Sequence, residues 1–121
     1  MEQEKKRILI VDDEPLVRRS LSRVLTNRFE VSEAFDGISG LEKWRQERPS
    51  LIFLDILMPG LTGLQVLEEI EPEIRRTCRV ILMSAYSGAT DPVRSTADFF
   101  MAKPIEDIFS VPEKVEELLR D

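Results

Sequence analysis

The 121-residue chain has no histidine and a single cysteine. Without histidine it has no Ser-His-Asp or Cys-His catalysis, no histidine-ligated metal and no histidine pH switch. The lone Cys78 cannot close an internal disulfide or build a multi-cysteine zinc site. No run approaches the ~20 apolar residues of a membrane span. The stretch Met1 to Arg7 is charged and only four apolar residues follow it, so no signal peptide is expected. The setting expected is reducing and cytoplasmic. Lys and Arg number 17 against 23 Asp and Glu, a formal net charge of −6, which argues against a broad DNA-binding face. Two short basic clusters, Lys5 to Arg7 and Arg75 to Arg79, read first as solvated surface and second as a contact patch for an acidic partner.

Hydrophobic residues make up 42% and charged residues 33%, a balance that suits one globular domain over residues 1–121. Ile8 to Val11, Leu51 to Leu54 and Val80 to Met83 are continuous apolar runs of strand length. Such runs fit strands buried on both faces of a parallel sheet. Phe29 to Ala34 alternates in part, as an edge strand does, and Phe99 to Ala102 is a fifth candidate. Between them lie helical periods. Val17, Leu21, Val24 and Leu25 form one stripe, starting near Pro15. Ile38, Leu41 and Trp44 mark a second helix, and Leu64, Leu67 and Ile70 a third that stops or kinks at Pro72. Val111, Val115, Leu118 and Leu119 mark the last, with Ser110 to Glu113 spaced as a capping box. The order is βαβαβαβ(α)βα. It predicts an α/β fold, a doubly wound five-stranded parallel sheet in the flavodoxin-like order 2-1-3-4-5 with helices on both faces.

Ligands in such sheets bind beyond the carboxyl ends of the strands. Here the strands deliver Asp12 and Asp13, then Asp55, then Ser84, then Lys103. Strands one and three are neighbours ~4.8 Å apart, so Asp13 and Asp55 can share a small cation at ~2.1 Å. Lys103 lies two strands away, roughly 10 Å, a gap its stem largely spans. Three carboxylates, one ammonium and one divalent ion cancel, which suits a site that holds a metal and then takes a phosphoryl group. Each residue also has a plainer reading. Asp12 or Asp13 could cap the first helix, Ser84 could be a strand-end hydroxyl and Lys103 a surface charge.

The motifs Val11-Asp12-Asp13-Glu14, Asp55 to Gly63, Ser84-Ala85 and Lys103-Pro104, with Ala34 to Gly37, resemble the receiver domain of two-component response regulators over Arg7 to Arg120. The resemblance implies that Asp55 is the phosphoacceptor. It implies Mg²⁺ ligated by Asp13, Asp55 and the Leu57 carbonyl, with Asp12 acting mostly through metal-bound water. Lys103, the Ser84 hydroxyl and the Ala85 amide would meet the phosphoryl oxygens, and Ser84 with Phe100 would form the switch. Met58-Pro59 and Gly63 would shape the loop beneath the acceptor. The implied partners are a sensor histidine kinase or histidine phosphotransfer protein and a downstream protein target, with no direct nucleic-acid binding. In this reading the chain is no conventional enzyme, but it catalyses its own Mg-dependent phosphorylation and dephosphorylation.

One segment departs from the family. Only 19 positions separate Ser84 from Lys103, and Asp91-Pro92 disfavours helix between them. The expectation is a short or absent helix between strands four and five. The expectation is of no output domain after Arg120, as in a stand-alone receiver or an excised one. A haloacid-dehalogenase-like phosphatase needs an acid two residues after its nucleophile, where this chain has Leu57. A receiver-like module without phosphorylation is disfavoured by the competent residues at every acceptor position. A flavin binder is disfavoured because Asp12 to Glu14 would repel its phosphate.

Overall fold

The computed structural model of the chain describes residues 4–85 and 96–120. Five strands, β1 (Arg7–Val11), β2 (Glu30–Ala34), β3 (Leu51–Asp55), β4 (Arg79–Ser84) and β5 (Phe99–Ala102), form one sheet in the order β2-β1-β3-β4-β5. Every pairing is parallel. Among the described residues the helices are α1 (Pro15–Leu25), α2 (Gly37–Glu47), α3 (Gly63–Glu69), the single turn α4 (Pro72–Arg75) and α5 (Val111–Leu119). The expectation of a short or absent helix between β4 and β5 falls on residues 86–95, outside the described residues.

The apolar runs work as double-faced strands. Leu9, Val11, Ile52, Leu54, Val80 and Leu82 point to one layer, with Leu41 and Trp44 of α2, Val66 of α3 and Ile74 of α4. Ile8, Ile10, Leu51, Phe53, Ile81 and Met83 point to the other, against Leu21 and Leu25 of α1 and Val115 of α5. Alternate residues of one strand thus fill opposite cores, which is why these runs show no polar positions. Phe99 and Phe100 divide the same way, each partly buried on its own face.

Three local expectations need correction. Ile38 is 59% exposed, because α2 turns Gly37, Gly40, Leu41 and Trp44 inward instead. Gly40 lies against Val11, and a Cβ there would stand 2.7 Å from its Cγ1. Helix α1 is capped by neither Asp12 nor Asp13, because its N-cap is Glu14 with Pro15 following. The Ser110 capping box does not form. A 3-10 turn (Ile108–Ser110) runs straight into α5, so Ser110 is already helical and its hydroxyl donates to the Asp107 carbonyl at 2.8 Å. The capping box is on α3 instead. There the Thr62 hydroxyl accepts from the Gln65 amide and the Gln65 side chain accepts from the Thr62 amide.

Cys78 is 5% exposed, and burial pushes its thiol up to about 12. The indole N–H of Trp44 is buried without a well-formed hydrogen bond among the described residues, and it faces this sulfur. The thiolate is the reactive form. The folded protein therefore resists iodoacetamide at mildly alkaline pH and reacts once in denaturant. Fast labelling of the native protein, read by mass, would contradict this packing.

Candidate functional site

Strand register assembles the site. Val11 pairs with Leu54 and Asp55 with Met83, so Asp12 and Ser84 flank Asp55 at one edge of the sheet. Ser84 pairs with Ala102, and the Lys103 amide donates to the Ser84 carbonyl at 2.9 Å. The Lys103–Pro104 peptide is cis. From this position the Lys103 stem runs back across the strand ends. Its ammonium donates to Asp12 Oδ2 at 3.0 Å, to Glu14 Oε1 at 2.6 Å and to Asp55 Oδ2 at 3.4 Å. The Lys103 side chain is 7% exposed, which rules out the surface-charge reading.

Asp12 is wholly buried, and Asp55 and Ser84 nearly so, while Asp13 and the Leu57 side chain are exposed. Asp12 also accepts from the Glu14 amide at 2.8 Å, which fixes the turn into α1. The sequence reading missed Glu14, which completes the lysine's cage. Phe100 packs against the α2–α3 core at the strand next to Ser84.

The loop from Asp55 to α3 is tied down on both sides. The Ile56 amide donates to the Met83 carbonyl and the Gly63 amide to the Ile56 carbonyl, each at 2.9 Å. Gly60 turns the loop with φ of 78°, a left-handed conformation that glycine adopts without strain. Gly63 sits directly against the Asp55 backbone, and a Cβ there would collide with the Asp55 carbonyl oxygen. Gly63→Ala is expected to cost about 2 kcal/mol or more by overpacking and to displace Asp55. A urea melt matching wild type would overturn that expectation.

Electrostatics separate the two central groups. Burial, and then the Asp12 charge, raise the Asp55 carboxyl to about 7, although Lys103 pulls the other way. Burial opposes the Lys103 ammonium, yet hydrogen bonds to Glu14 and Asp12 outweigh it and raise its pKa above the ordinary lysine value. At neutral pH the site therefore holds a fixed cation among acids, one of which is poised near its own pKa.

Asp12, Asp13, Glu14 and Asp55 each offer a carboxylate oxygen, all within 4.8 Å of one another. Mg²⁺ takes hard oxygen ligands at about 2.1 Å, which places ligand oxygens roughly 3–4.2 Å apart. Carboxylate oxygens gathered within 4.8 Å lie close to that spacing, and as hard donors they fit the ion.

The family model described as the response regulator receiver domain matches residues 8–111. The chain is 37% identical over 105 residues to the chemotaxis protein CheY of Bacillus subtilis, covering 83% of this chain and 87% of CheY. It is 36% identical over 107 residues to response regulator PleD of Caulobacter vibrioides, covering 84% of this chain and 24% of PleD. The chain thus spans about a quarter of that relative's length. Among solved structures, the response regulator protein TrrA of Thermotoga maritima, in complex with Mg(2+)-BeF, superposes with a TM-score of 0.80 at 36% identity. That match covers 93% of this chain and 98% of TrrA.

Proposed function

The chain belongs to the response regulator receiver domain family, and from that premise we propose that Asp55 accepts a phosphoryl group from a sensor histidine kinase or a histidine phosphotransfer protein. Residues 1–121 act as a single receiver domain in this reading. The observation that carries it is the buried Asp55 carboxylate with the Lys103 ammonium 3.4 Å away and the Asp12–Asp13–Glu14 acids beside it.

Asp12, Asp13, Asp55 and the Leu57 carbonyl would hold Mg²⁺. When bound, the ion supplies positive charge against the phosphoryl oxygens. A carboxylate oxygen of Asp55 attacks phosphorus as the bond to the donor imidazole nitrogen breaks, and that nitrogen keeps the electron pair. Phosphoryl transfer passes through a loose transition state with charge spread over three oxygens, so positioning and positive charge do most of the work. Lys103 supplies such charge and is held in place by Asp12 and Glu14. The Ser84 hydroxyl and Ala85 amide donate to the remaining oxygens. Dephosphorylation is attack by water on the same phosphorus with cleavage of its bond to the Asp55 oxygen, which releases orthophosphate and returns the Asp55 carboxylate.

Movement of Ser84 toward the phosphoryl group would bias Phe100 on the adjoining strand, giving a two-state element set by one local event. A downstream protein reads that change, and no contact with nucleic acid is needed. The test is intact mass after incubation with Mg²⁺ and a small phosphoryl donor. One phosphate adduct on the wild type, absent from Asp55→Asn, supports the assignment. Steady release of phosphate from esters, or an adduct that survives Asp55→Asn, overturns it.

A further inference from the structure

The end of the sheet opposite Asp55 carries the reverse charge. Lys6 precedes β1, Arg75 and Arg76 close α4, and Arg79 opens β4. These four cations come from three segments and converge on one cavity of about 380 Å³. Among the described residues the one carboxylate that lines it belongs to Asp98, which leaves a formal +3 from those residues in a chain of net −6. Asp98 is already engaged, because it pairs with Arg79 at 3.4 Å and accepts from the Val80 amide at 2.8 Å. Arg75 is braced by donating to the Thr96 carbonyl at 2.8 Å. Lys6 and Arg76, by contrast, have no ion-pair partner among the described residues. The Ser50 hydroxyl, half-buried in the wall, makes no hydrogen bond among them.

Like charges gathered in a concavity repel unless an anion joins them. Guanidinium groups match phosphate oxygens with paired N–H donors, and lysine adds a point charge. The volume falls in the range of about 300–1,000 Å³ typical of small-molecule sites. A nucleic acid or acidic peptide would call for a basic stripe, whereas these cations line a single cavity. We propose that this cavity binds a compact anion bearing a diphosphate, of the pyrophosphate or nucleoside diphosphate class. Lys6, Arg75, Arg76 and Arg79 meet the phosphate oxygens and Ser50 donates a hydrogen bond. The site is separate from Asp55 and does not depend on phosphorylation there.

The test is calorimetric titration of the whole chain with inorganic pyrophosphate, ADP and orthophosphate in turn. Low salt preserves the attraction, and EDTA keeps metal out of the acidic site. The expected result is saturable one-to-one binding of pyrophosphate tighter than about 1 mM, with orthophosphate about tenfold weaker or more. ADP binding more tightly than pyrophosphate would assign the nucleoside form, and equal affinities the bare diphosphate. Lys6→Gln with Arg76→Gln should weaken either probe at least about tenfold. Both positions are exposed, so the double variant should fold, and it should still take phosphate on Asp55. Absence of saturable binding by both pyrophosphate and ADP, or unchanged affinity in the double variant, overturns the site.

Discussion

Asp55→Asn removes phosphoryl acceptance and, without metal, makes the protein more stable than the wild type above about pH 7. The second half follows from burial. Asp55 is 3% exposed beside Asp12, which has no exposure at all. Desolvation and that neighbouring charge raise its carboxyl from 3.8 to about 7. Between these values the folded chain keeps a proton that the unfolded chain has lost. Stability therefore falls as pH rises through this window, and the full cost is present above it. Each unit is worth about 1.4 kcal/mol, so the ceiling is on the order of 4 kcal/mol. Reorganisation and water entry bring the expected gain on substitution to about 1–3 kcal/mol. Asparagine keeps the shape and lacks the titration, while Lys103 retains Asp12 and Glu14. Urea melts in EDTA should show the two proteins converging near pH 4 and separating toward pH 7. A wild type that is flat across the window, or an asparagine variant less stable above it, would show that Asp55 ionises without penalty.

The strands were legible because burial on both faces leaves a mark on every residue. Leu51 to Leu54 and Val80 to Met83 are apolar without interruption, and each fills two cores. The site was legible for a related reason. A polar residue directly after such a run must stand at the sheet's edge, and parallel register brings those edges together. Helix faces were harder to read. Along α2 the inward positions include Gly37 and Gly40, which carry no hydropathy signal, so Ile38 drew the stripe one residue aside. At α5 the Ser110 pattern was correct for a cap, but a 3-10 turn packed upstream had already made Ser110 helical. Glu14 was invisible as a partner because its contact with Lys103 spans 89 positions. Spacing along the chain says nothing about which of three neighbouring acids a distant ammonium reaches.

Lys103→Met reverses the sign of the Asp55 result and is the sharper probe of the site. The ammonium is the one cation that bonds the carboxylates of Asp12, Glu14 and Asp55 among the described residues. Removing it leaves two buried carboxylates without a counter-charge. Breaking a buried pair from one side costs about 3–5 kcal/mol. Protonation of Asp55 offsets part of this, so the expected loss in EDTA above pH 7 is about 2–4 kcal/mol. Mg²⁺ should restore much of that loss, because a divalent ion now meets uncompensated acids. Charges about 4 Å apart interact by roughly 1–4 kcal/mol near a protein surface, so the variant should bind Mg²⁺ about tenfold tighter or more. Phosphoryl acceptance should nevertheless slow by about a hundredfold or more, since the positive charge at the transferring oxygens is gone. Together these give less stability without metal, tighter metal binding and slower transfer. A lysine that served only as a structural brace would lower stability without tightening Mg²⁺ binding. Equal Mg²⁺ affinity in the variant and the wild type, read by calorimetry, would therefore remove Lys103 from the charge balance of the site.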